Sequence, residues 1–307
     1  MHILLLGKNG QVGWELQRAL APLGTVTALD RHSAETSPNK YSGDLSQPEA
    51  LAKTIQMLKP DVIVNAAAYT AVDKAESEPG LARQINADTL ALLATEANKI
   101  GAWLIHYSTD YVFNGEGDTP WVEDDITAPL SVYGATKLAG ENFIVQNCHQ
   151  HLIFRTSWVY ATRGANFAKT MLRLAKERDE LGVINDQIGA PTGADLIADC
   201  TAHAIRTVMT QGQQQKPSLA GIYNLAASGE TSWFDYANHV FTTAKEHGIH
   251  LKLTSLNAIS TADYATPATR PLNSRLNTQK LSAAFGLTLP PWQQGVTRML
   301  TEMLEQQ

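Results

Sequence analysis

The amino-terminal segment constrains the fold of this chain more than any other part of its sequence. An apolar run, HILLLG, occupies residues 2 to 7 and leads directly into GKNGQVG, which places Gly7, Gly10 and Gly13 at the start of an amphipathic stretch. Glycines after a strand permit a tight turn, and the free N–H groups of the following helix attract a pyrophosphate. Because the spacing is GxxGxxG and not GxGxxG, a tight turn without a ligand is an equal alternative on this motif alone.

Apolar runs then alternate with longer amphipathic stretches through the first half of the chain. The predicted strands are 2–7, 25–30, 61–67, 103–109 and 152–158, and the predicted helices are 11–21, 49–58, 81–99 and 133–147. This alternation is typical of βαβ units and a parallel sheet. Right-handed crossovers then predict an α/β fold, a Rossmann-type doubly wound parallel sheet whose ligands lie beyond the carboxyl ends of its strands.

The pattern loosens in the second half, where Pro and Gly gather in NDQIGAPTG and ATPATRPLNS. Helical stretches continue at 165–178, 194–211 and 231–247. We therefore predict a dinucleotide-binding domain over 1–155, which also receives about 194–226, and a smaller C-terminal substrate-binding lobe in most of 156–307.

Composition excludes several classes of partner. The chain has 24 basic and 30 acidic residues, a net charge of -6, and no basic block, which argues against nucleic acid. Its apolar runs are far shorter than the ~20 residues that span a bilayer, and its first residues lack the basic region of a signal peptide. Its two cysteines, Cys148 and Cys200, have no metal-ligand spacing, so the sequence predicts a cytoplasmic protein without disulfides.

An acidic residue ends the second predicted strand. Asp30 follows the glycine loop by about twenty residues, where a carboxylate binds the ribose 2′-hydroxyl of NADH. Arg31 comes next and could receive the 2′-phosphate of NADPH, although a solvated turn is the alternative for this arginine. The sequence thus predicts NADPH or NADH as cofactor.

Tyr133 and Lys137 form the candidate catalytic pair. A helix advances about 100° per residue, so the two side chains lie within about 40° of each other. A nearby ammonium lowers the pKa of a phenol from about 10, which suits it to acid–base work. Ser108 and Thr109 end the fourth predicted strand, where a hydroxyl could bind a carbonyl oxygen. The alternative is a half-buried aromatic beside a solvated lysine.

In combination, the motifs GxxGxxG, NAAA, STDYVF and YGATK resemble those of the extended short-chain dehydrogenase/reductases. The segments NAAAYTAVDKAE, HYSTDYVFNG, FRTSWVY, NDQIGAPT and RPLNSRLN are similar to those of the dTDP-4-dehydrorhamnose reductase family within that group. The resemblance implies reduction of a nucleotide-linked 4-keto-6-deoxy sugar, dTDP-4-dehydro-L-rhamnose, to dTDP-L-rhamnose. It implies that Tyr133 donates a proton, that Lys137 holds the nicotinamide ribose and tunes the tyrosine, and that Thr109 is the third catalytic hydroxyl.

The expected site residues follow from these motifs and the resemblance. Cofactor contacts are expected from Gly7, Gly10, Gln11, Val12, Gly13, Asp30, Arg31, Asp44, Leu45, Ala66, Ala67, Ala68, Tyr133 and Lys137. Substrate contacts are expected from Thr109, Asp110, Trp158 and Arg270, with Asn273 and Ser274 near the nucleotide diphosphate. The alternatives are a core aromatic for Trp158 and a structural loop for the last three residues.

The family is also associated with magnesium and a homodimer. Glu15 and Asp195 are the candidate metal ligands, whereas Pro290 and Pro291 stand where some relatives carry an acidic residue, which argues against a metal-bridged dimer. Two other functions remain open on the sequence. One is a nucleotide-sugar epimerase or dehydratase of the same fold, and the other is a non-catalytic regulatory subunit of the methionine adenosyltransferase type.

Overall fold

A six-stranded parallel sheet forms the centre of the molecule. The computed structural model describes residues 1–36, 39–210 and 219–305. Its strands are β1 (His2–Leu6), β2 (Thr25–Leu29), β3 (Val62–Asn65), β4 (Trp103–Thr109), β5 (His151–Thr156) and β10 (Gly221–Asn224). The strand order is β10-β5-β4-β3-β1-β2, and every neighbouring pair is parallel, as predicted for a doubly wound sheet.

Helices cover both faces of this sheet because its central strands are apolar on both sides. In β1, Ile3 and Leu5 pack against one helix layer, and Leu4 and Leu6 pack against the other. The first layer holds α1 (Gln11–Leu20), α9 (Ala194–Thr210) and α11 (Gln279–Phe285). The second holds α3 (Pro48–Leu58), α6 (Thr89–Ile100) and α7 (Val132–Asn147). Three short helices lie between these elements, α2 (Ser33–Thr36), α4 (Val72–Ser77) and α5 (Pro79–Arg83).

The second lobe has its own core of helices and short strands. Tyr236, Phe241, Trp292 and Leu300 are buried together there. Its helices are α8 (Phe167–Glu177), α10 (Trp233–Glu246) and α12 (Trp292–Leu304). Its strands are β6 (Val159–Tyr160), β7 (Glu180–Ile184), β8 (Ile188–Gly189), β9 (Thr192–Gly193), β11 (Thr231–Ser232) and β12 (Ser255–Ile259).

Two predicted elements differ in detail from the observed ones. The helix predicted over 81–99 is interrupted by a π-helical turn at Gln84–Asp88, where the Asn86 side chain bonds both the N–H and the C=O of Tyr69. The strand predicted over 152–158 ends at Thr156, because Trp158 has a φ of +47°, which is incompatible with an extended strand.

The two lobes are joined through the sheet edge. After the start of the second lobe, the chain returns through α9 to β10, which pairs with β5. Beside this edge, the buried Arg155 guanidinium binds the Glu141 carboxylate at 2.7 Å and donates to the Glu123 carbonyl at 2.9 Å. Within the described ranges, no helix is both long and apolar enough to cross a membrane.

Candidate active site

The glycine loop packs too tightly for side chains at two of its three glycines. Gly7 has a φ of +86°, and a Cβ there would lie 2.7 Å from the Ala67 nitrogen. A Cβ on Gly13 would lie 2.0 Å from the Gly7 carbonyl oxygen. Gly10 is less constrained, since its Cβ would lie 3.4 Å from the same oxygen. The helix that begins at Gln11 therefore approaches the end of β1 closely and presents unpaired N–H groups beside it.

Asp30 is held firmly at the end of β2. Its carboxylate accepts hydrogen bonds from the Asn9 amide, from the Ser33 hydroxyl at 2.8 Å and from the His32 N–H at 3.0 Å. Burial alone would raise the pKa of this carboxyl, but the Ser33 and His32 hydrogen bonds hold it below the ordinary value. Arg31 is exposed, and its Nε donates to His32 Nε2 at 3.1 Å.

A cleft of about 730 Å³ lies at the carboxyl ends of the parallel strands. It gathers nearly all of the predicted site residues: Gly7, Gly10, Gln11, Val12, Asp30, Arg31, Asp44, Leu45, Ala66, Ala67, Ala68, Thr109, Asp110, Tyr133, Lys137 and Trp158. Gly13 does not line the cleft but packs directly against the Gly7 carbonyl of the loop. Arg270 lines a neighbouring cavity.

Tyr133 lies in the first turn of α7, close to Thr109 and Asp110 at the end of β4. Ser131 caps this helix by accepting a hydrogen bond from the Gly134 N–H at 3.2 Å. Removal from solvent raises the pKa of the Tyr133 phenol to about 12, although the Thr109 hydroxyl partly counters this rise. The phenol is therefore protonated at neutral pH and can donate a proton.

Lys137 is buried one turn further along α7 and is bound to β4. Its Nζ donates to the Tyr107 carbonyl at 2.6 Å and lies 2.9 Å from His106 Nε2. Burial lowers the pKa of this amine to about 7, against the opposing effect of the Glu141 carboxylate. Lys137 is not among the groups that shift the pKa of Tyr133 in this structure, so a tuning role for Lys137 stays a prediction. Burial dominates at both groups, and the amine is engaged by the strand.

Three buried polar atoms at the same edge have no hydrogen-bond partner within the described parts of the chain. They are Asp110 Oδ2, Ser108 Oγ and Thr156 Oγ1, and all three residues line the cleft. Burial also raises the pKa of Asp110 to about 6, against the opposing effects of the Ser274 and Thr109 hydroxyls. Unsatisfied polar groups of this kind are costly in a buried site, so this end of the cleft is suited to a polar ligand.

Comparisons with known proteins agree along the whole chain. The family profile described as RmlD substrate binding domain matches residues 1–305. The chain is 63% identical to the dTDP-4-dehydrorhamnose reductase of Shigella flexneri, over 99% of this chain and 98% of that protein. It is 62% identical to that of Escherichia coli K12, with the same coverage. The chain belongs to the dTDP-4-dehydrorhamnose reductase family. A crystal structure of the Bacillus anthracis dTDP-4-dehydrorhamnose reductase in complex with NADP has a TM-score of 0.86 and 34% identity, over 98% of this chain and 99% of that one.

In this member of the dTDP-4-dehydrorhamnose reductase family, Trp158 forms part of an aromatic wall. Its ring stacks on Trp233 with centroids 3.6 Å apart, and both residues line the cleft. The Trp233 indole N–H donates to Gln187 Oε1 at 3.1 Å. Sequence reasoning did not identify Trp233 or Gln187, because their contact with Trp158 depends on the packing of the second lobe.

Arg270 lies beside a second cavity of about 450 Å³, which shares Tyr111 and Trp233 with the cleft. Its guanidinium binds the Asp73 carboxylate at 2.7 Å. Asn273, expected near the same ligand, instead donates to the Thr119 carbonyl at 2.9 Å and organises the loop. Ser274 is buried, and its hydroxyl opposes the rise in the pKa of Asp110 that burial causes.

The two candidate metal ligands of this family member lie apart from the cleft, and each is paired with an arginine. Glu15 lies 3.5 Å from Arg18, and Asp195 lies 3.3 Å from Arg298. Across residues 1–36, 39–210 and 219–305, no three His, Cys, Asp or Glu side chains come together in a way that could hold a metal ion. A role for magnesium therefore stays a prediction from the family resemblance.

Proposed function

We propose that this chain reduces the C4 keto group of dTDP-4-dehydro-L-rhamnose to dTDP-L-rhamnose, the last step of dTDP-L-rhamnose synthesis, with NADPH or NADH. The observation that carries this proposal is the meeting of Tyr133, Thr109 and Lys137 with the glycine loop in one cleft. Identity of 63% and 62% to curated reductases over nearly the whole chain supports the same reaction.

Thr109 and Tyr133, at the end of the cleft, have different roles at the substrate carbonyl. The Thr109 hydroxyl hydrogen-bonds the substrate carbonyl oxygen, and Tyr133 donates its proton to that oxygen as negative charge develops there. Lys137 would hold the nicotinamide ribose. When bound, the nicotinamide would supply a hydride to C4, which together with the proton from Tyr133 would convert the ketone to an alcohol.

The glycine loop and the β2 end fit a dinucleotide. Gly7 and Gly13 have no room for side chains, so α1 begins close to the strand end, where its free N–H groups suit a pyrophosphate. Asp30 is ionised and positioned for ribose hydroxyls, and the exposed Arg31 is available for a 2′-phosphate. Asp44, Leu45 and the Ala66–Ala68 stretch line the remainder of the cofactor site.

The second lobe supplies the substrate site. The cleft continues past Trp158 and Trp233 towards the cavity beside Arg270, which offers aromatic surface and a guanidinium next to the reacting end. A nucleotide sugar requires such contacts for its base and its two phosphates. Residues 1–155 with about 194–226 therefore hold the cofactor, and most of 156–307 holds the dTDP-sugar.

A stoichiometric assay with dTDP-4-dehydro-L-rhamnose tests the reaction. The wild-type enzyme should consume one equivalent of NADPH per sugar reduced, whereas an epimerase or dehydratase regenerates its cofactor and should show no net consumption. A regulatory subunit should show no turnover at all.

The Tyr133→Phe variant tests the assigned proton donor. It removes the hydroxyl but keeps the ring, so turnover should fall by about 100-fold or more, the scale of a positioned general acid. Its dissociation constant for NADPH, measured by fluorescence titration, should stay near the wild-type value. Turnover close to that of the wild type would remove Tyr133 from the mechanism.

The location and the assembly of the protein can also be proposed. We expect a cytoplasmic enzyme, because both cysteines are buried as free thiols. Nucleic acid is not an expected partner of a chain with net charge -6. The homodimer and Mg²⁺ implied by the family stay predictions, which sedimentation with and without a chelator would test.

A further inference from the structure

The indole ring of Trp158 lies in a narrow slot of the second lobe. One ring face stacks on Trp233, with centroids 3.6 Å apart and planes inclined by 14°. A Cβ built on Gly189 would lie 2.8 Å from Trp158 Cε2 and 3.1 Å from Cζ2. These distances place it above the ring plane, because a contact from the ring edge would be shorter to Cζ2 than to the junction carbon Cε2. Trp233 contributes none of the atoms nearest to that Cβ, so Trp233 and Gly189 cover opposite faces of the ring.

One pair of short strands adjoins both walls of this slot. Strands β8 and β11 are antiparallel neighbours, with Gly189 opposite Thr231. Gly189 ends β8, and Trp233 follows β11 directly as the first residue of α10. The Trp233 indole N–H donates to Gln187 Oε1 at 3.1 Å, which fixes the orientation of the stacked ring. Because both walls adjoin this strand pair, its backbone hydrogen bonds fix their separation.

The backbone of Trp158 is held in an unfavourable conformation. Its φ of +47° lies in a region that bulky residues rarely adopt. Its carbonyl accepts a hydrogen bond from the Thr192 N–H at 3.2 Å, and the neighbouring Ser157 hydroxyl donates to the Ala190 carbonyl at 3.3 Å. Such strain persists only where the surrounding structure fixes it, and it is concentrated at functional sites. Contacts to residues 190–192, directly after β8, thus fix the backbone from which the ring enters the slot.

Because both of its ring faces are covered, Trp158 can meet a ligand only through its edge. It lines the cleft, and its indole N–H has no hydrogen-bond partner among the described residues. By contrast, the indole N–H groups of Trp121 and Trp233 donate to protein oxygens at 3.0 and 3.1 Å. The Trp158 N–H is also not sealed from solvent, as that of Trp292 is. An indole N–H can only donate, so this edge is suited to an oxygen of a ligand.

The position of Trp158 determines which part of a nucleotide sugar it meets. It lines the cleft together with Thr109 and Tyr133, but it does not line the second cavity, which holds Arg270. The proposed function places the reacting carbonyl beside Thr109 and Tyr133 and the diphosphate towards Arg270. The sugar is therefore the part beside Trp158, and its hydroxyl and ring oxygens can accept a hydrogen bond.

We propose that Gly189 and Trp233 are positioning residues that hold Trp158 edge-on to the cleft, so that its indole N–H donates a hydrogen bond to an oxygen of the substrate sugar. This assignment rests on the proposed function, since it takes the dTDP-sugar as the ligand of the cleft. A sugar that stacked on the Trp158 indole would need a free ring face, and the slot leaves none.

The indole N–H of Trp158 reports this contact directly. In protein labelled with ¹⁵N at tryptophan and saturated with NADP⁺, its signal is the one that Trp158→Phe lacks. Saturation with the product dTDP-L-rhamnose should move the indole proton resonance downfield, because a hydrogen bond deshields the donated proton. Saturation with dTDP, which has no sugar, should leave it nearly unmoved. An unmoved signal with dTDP-L-rhamnose bound, or an equal shift with dTDP, would overturn the proposal.

Gly189→Ala tests the slot without removing a group that touches the ligand. The φ of Gly189 is not positive, so alanine suits the backbone, but its Cβ would overlap the Trp158 ring. The KM for the dTDP-sugar should rise by about two- to tenfold, the range for one lost neutral hydrogen bond, with the KM for NADPH unchanged. Gly80→Ala is the control, because a Cβ there meets nothing within 4 Å. A Gly189→Ala enzyme as good as this control would contradict the proposal.

The stack of the two indoles is visible by circular dichroism. Indoles with centroids 3.6 Å apart couple strongly and should give an exciton couplet in the far-ultraviolet spectrum. Trp233→Phe should abolish the couplet and raise the KM for the dTDP-sugar, whereas Gly80→Ala should retain both wild-type properties. A wild-type spectrum without the couplet would refute the slot, and this result does not depend on whether Gly189→Ala folds.

The same measurements separate this contact from the proposed reaction. If dTDP-L-rhamnose moved the Trp158 signal in a protein that could not reduce dTDP-4-dehydro-L-rhamnose, only the reaction would be refuted. If NADPH were consumed with that sugar while the Trp158 signal stayed unmoved by the product, only the hydrogen bond from Trp158 would be refuted.

Discussion

Asp110 lines the cleft, but its burial disfavours the ionised form of its carboxyl group. It lies beside Thr109 and Tyr133, and its Oδ2 atom has no partner among the described residues. Burial raises its pKa to about 6, so the native protein binds a proton that the unfolded chain has already released. Between about pH 4 and about pH 6 the contribution of Asp110 to stability therefore decreases as the pH rises.

Asp110→Asn should remove this dependence. The difference in Tm between variant and wild type should grow in favour of the variant from about pH 4 to about pH 7 and then level off, because Asn does not titrate. Scanning calorimetry at a series of pH values measures it. Asp263→Asn is a control of opposite sign, since hydrogen bonds from Ser260 lower the pKa of Asp263. A pH-independent difference at Asp110 would show that its carboxyl titrates normally.

A substitution at Arg31 tests what determines the preference between NADPH and NADH. Arg31→Ala should raise the KM for NADPH by about tenfold, the lower end for a charge-assisted hydrogen bond, because the guanidinium is exposed. The KM for NADH should change little, since NADH has no 2′-phosphate. Steady-state kinetics with both cofactors give the comparison, and equal effects would mean that Arg31 does not contact that phosphate.

In the turn from β1 to α1, Gly13 has no room for a side chain, whereas Gly10 does. Gly13→Ala gains about 1 kcal/mol of helix propensity, but its Cβ would lie 2.0 Å from the Gly7 carbonyl, so the overlap should dominate. We expect a net loss of about 1–3 kcal/mol in the free energy of unfolding and weaker cofactor binding.

Gly10→Ala is the matched control in the same turn. Its φ is -70°, and its Cβ would make only an ordinary contact at 3.4 Å, so stability should be nearly unchanged. Urea unfolding of both variants measures the contrast. Equal stabilities for the two variants would show that the loop relaxes around Gly13 without cost.

The elements that the sequence predicted well are those with strong periodicity. The five predicted strands all exist, and α7 begins within one residue of its predicted start, because apolar runs and amphipathic patterns are local signals. The interruption of the 81–99 helix depends on Asn86 reaching Tyr69, and the end of β5 depends on the backbone of Trp158. Neither contact has a local signature.

The same distinction applies to the candidate site. Glycine spacing, the Asp30 position and the Tyr133–Lys137 pair are visible in the sequence, and the structure places them around one cleft. The pKa of Tyr133 could not be predicted, because the i, i+4 spacing suggested an ammonium effect while burial raises the pKa. His106 was also missed, since its contact with Lys137 requires β4 and α7 to be packed together.

At the scale of the whole molecule, Arg270 joins the lobes at the proposed substrate cavity. It extends from the second lobe to the Asp73 carboxylate in α4, and it lines the same cavity as Tyr111. Arg270→Ala should raise the KM for the dTDP-sugar several-fold and leave the KM for NADPH nearly unchanged, because its expected contact is with the diphosphate of the substrate alone.

Arg173→Ala provides the comparison for that experiment. Arg173 lies on α8 and is exposed, and among the residues that the structure describes its ion-pair partner is Glu177 in the same helix at 2.9 Å, so neither Michaelis constant should change. Both constants come from initial rates with one substrate saturating. Weakened NADPH binding with intact sugar binding in Arg270→Ala would reverse the proposed division between the lobes.

The return of the chain to β10 has a consequence for synthesis on the ribosome. Strand β5 is complete at Thr156, but its neighbour at the sheet edge begins only at Gly221, after α8 and α9 have been made. Until then β5 is an exposed edge rich in apolar side chains, a form prone to pairing with other chains. We expect nascent chains that stop before Gly221 to need chaperone protection, and full-length chains to lose that need as the last strand closes the sheet.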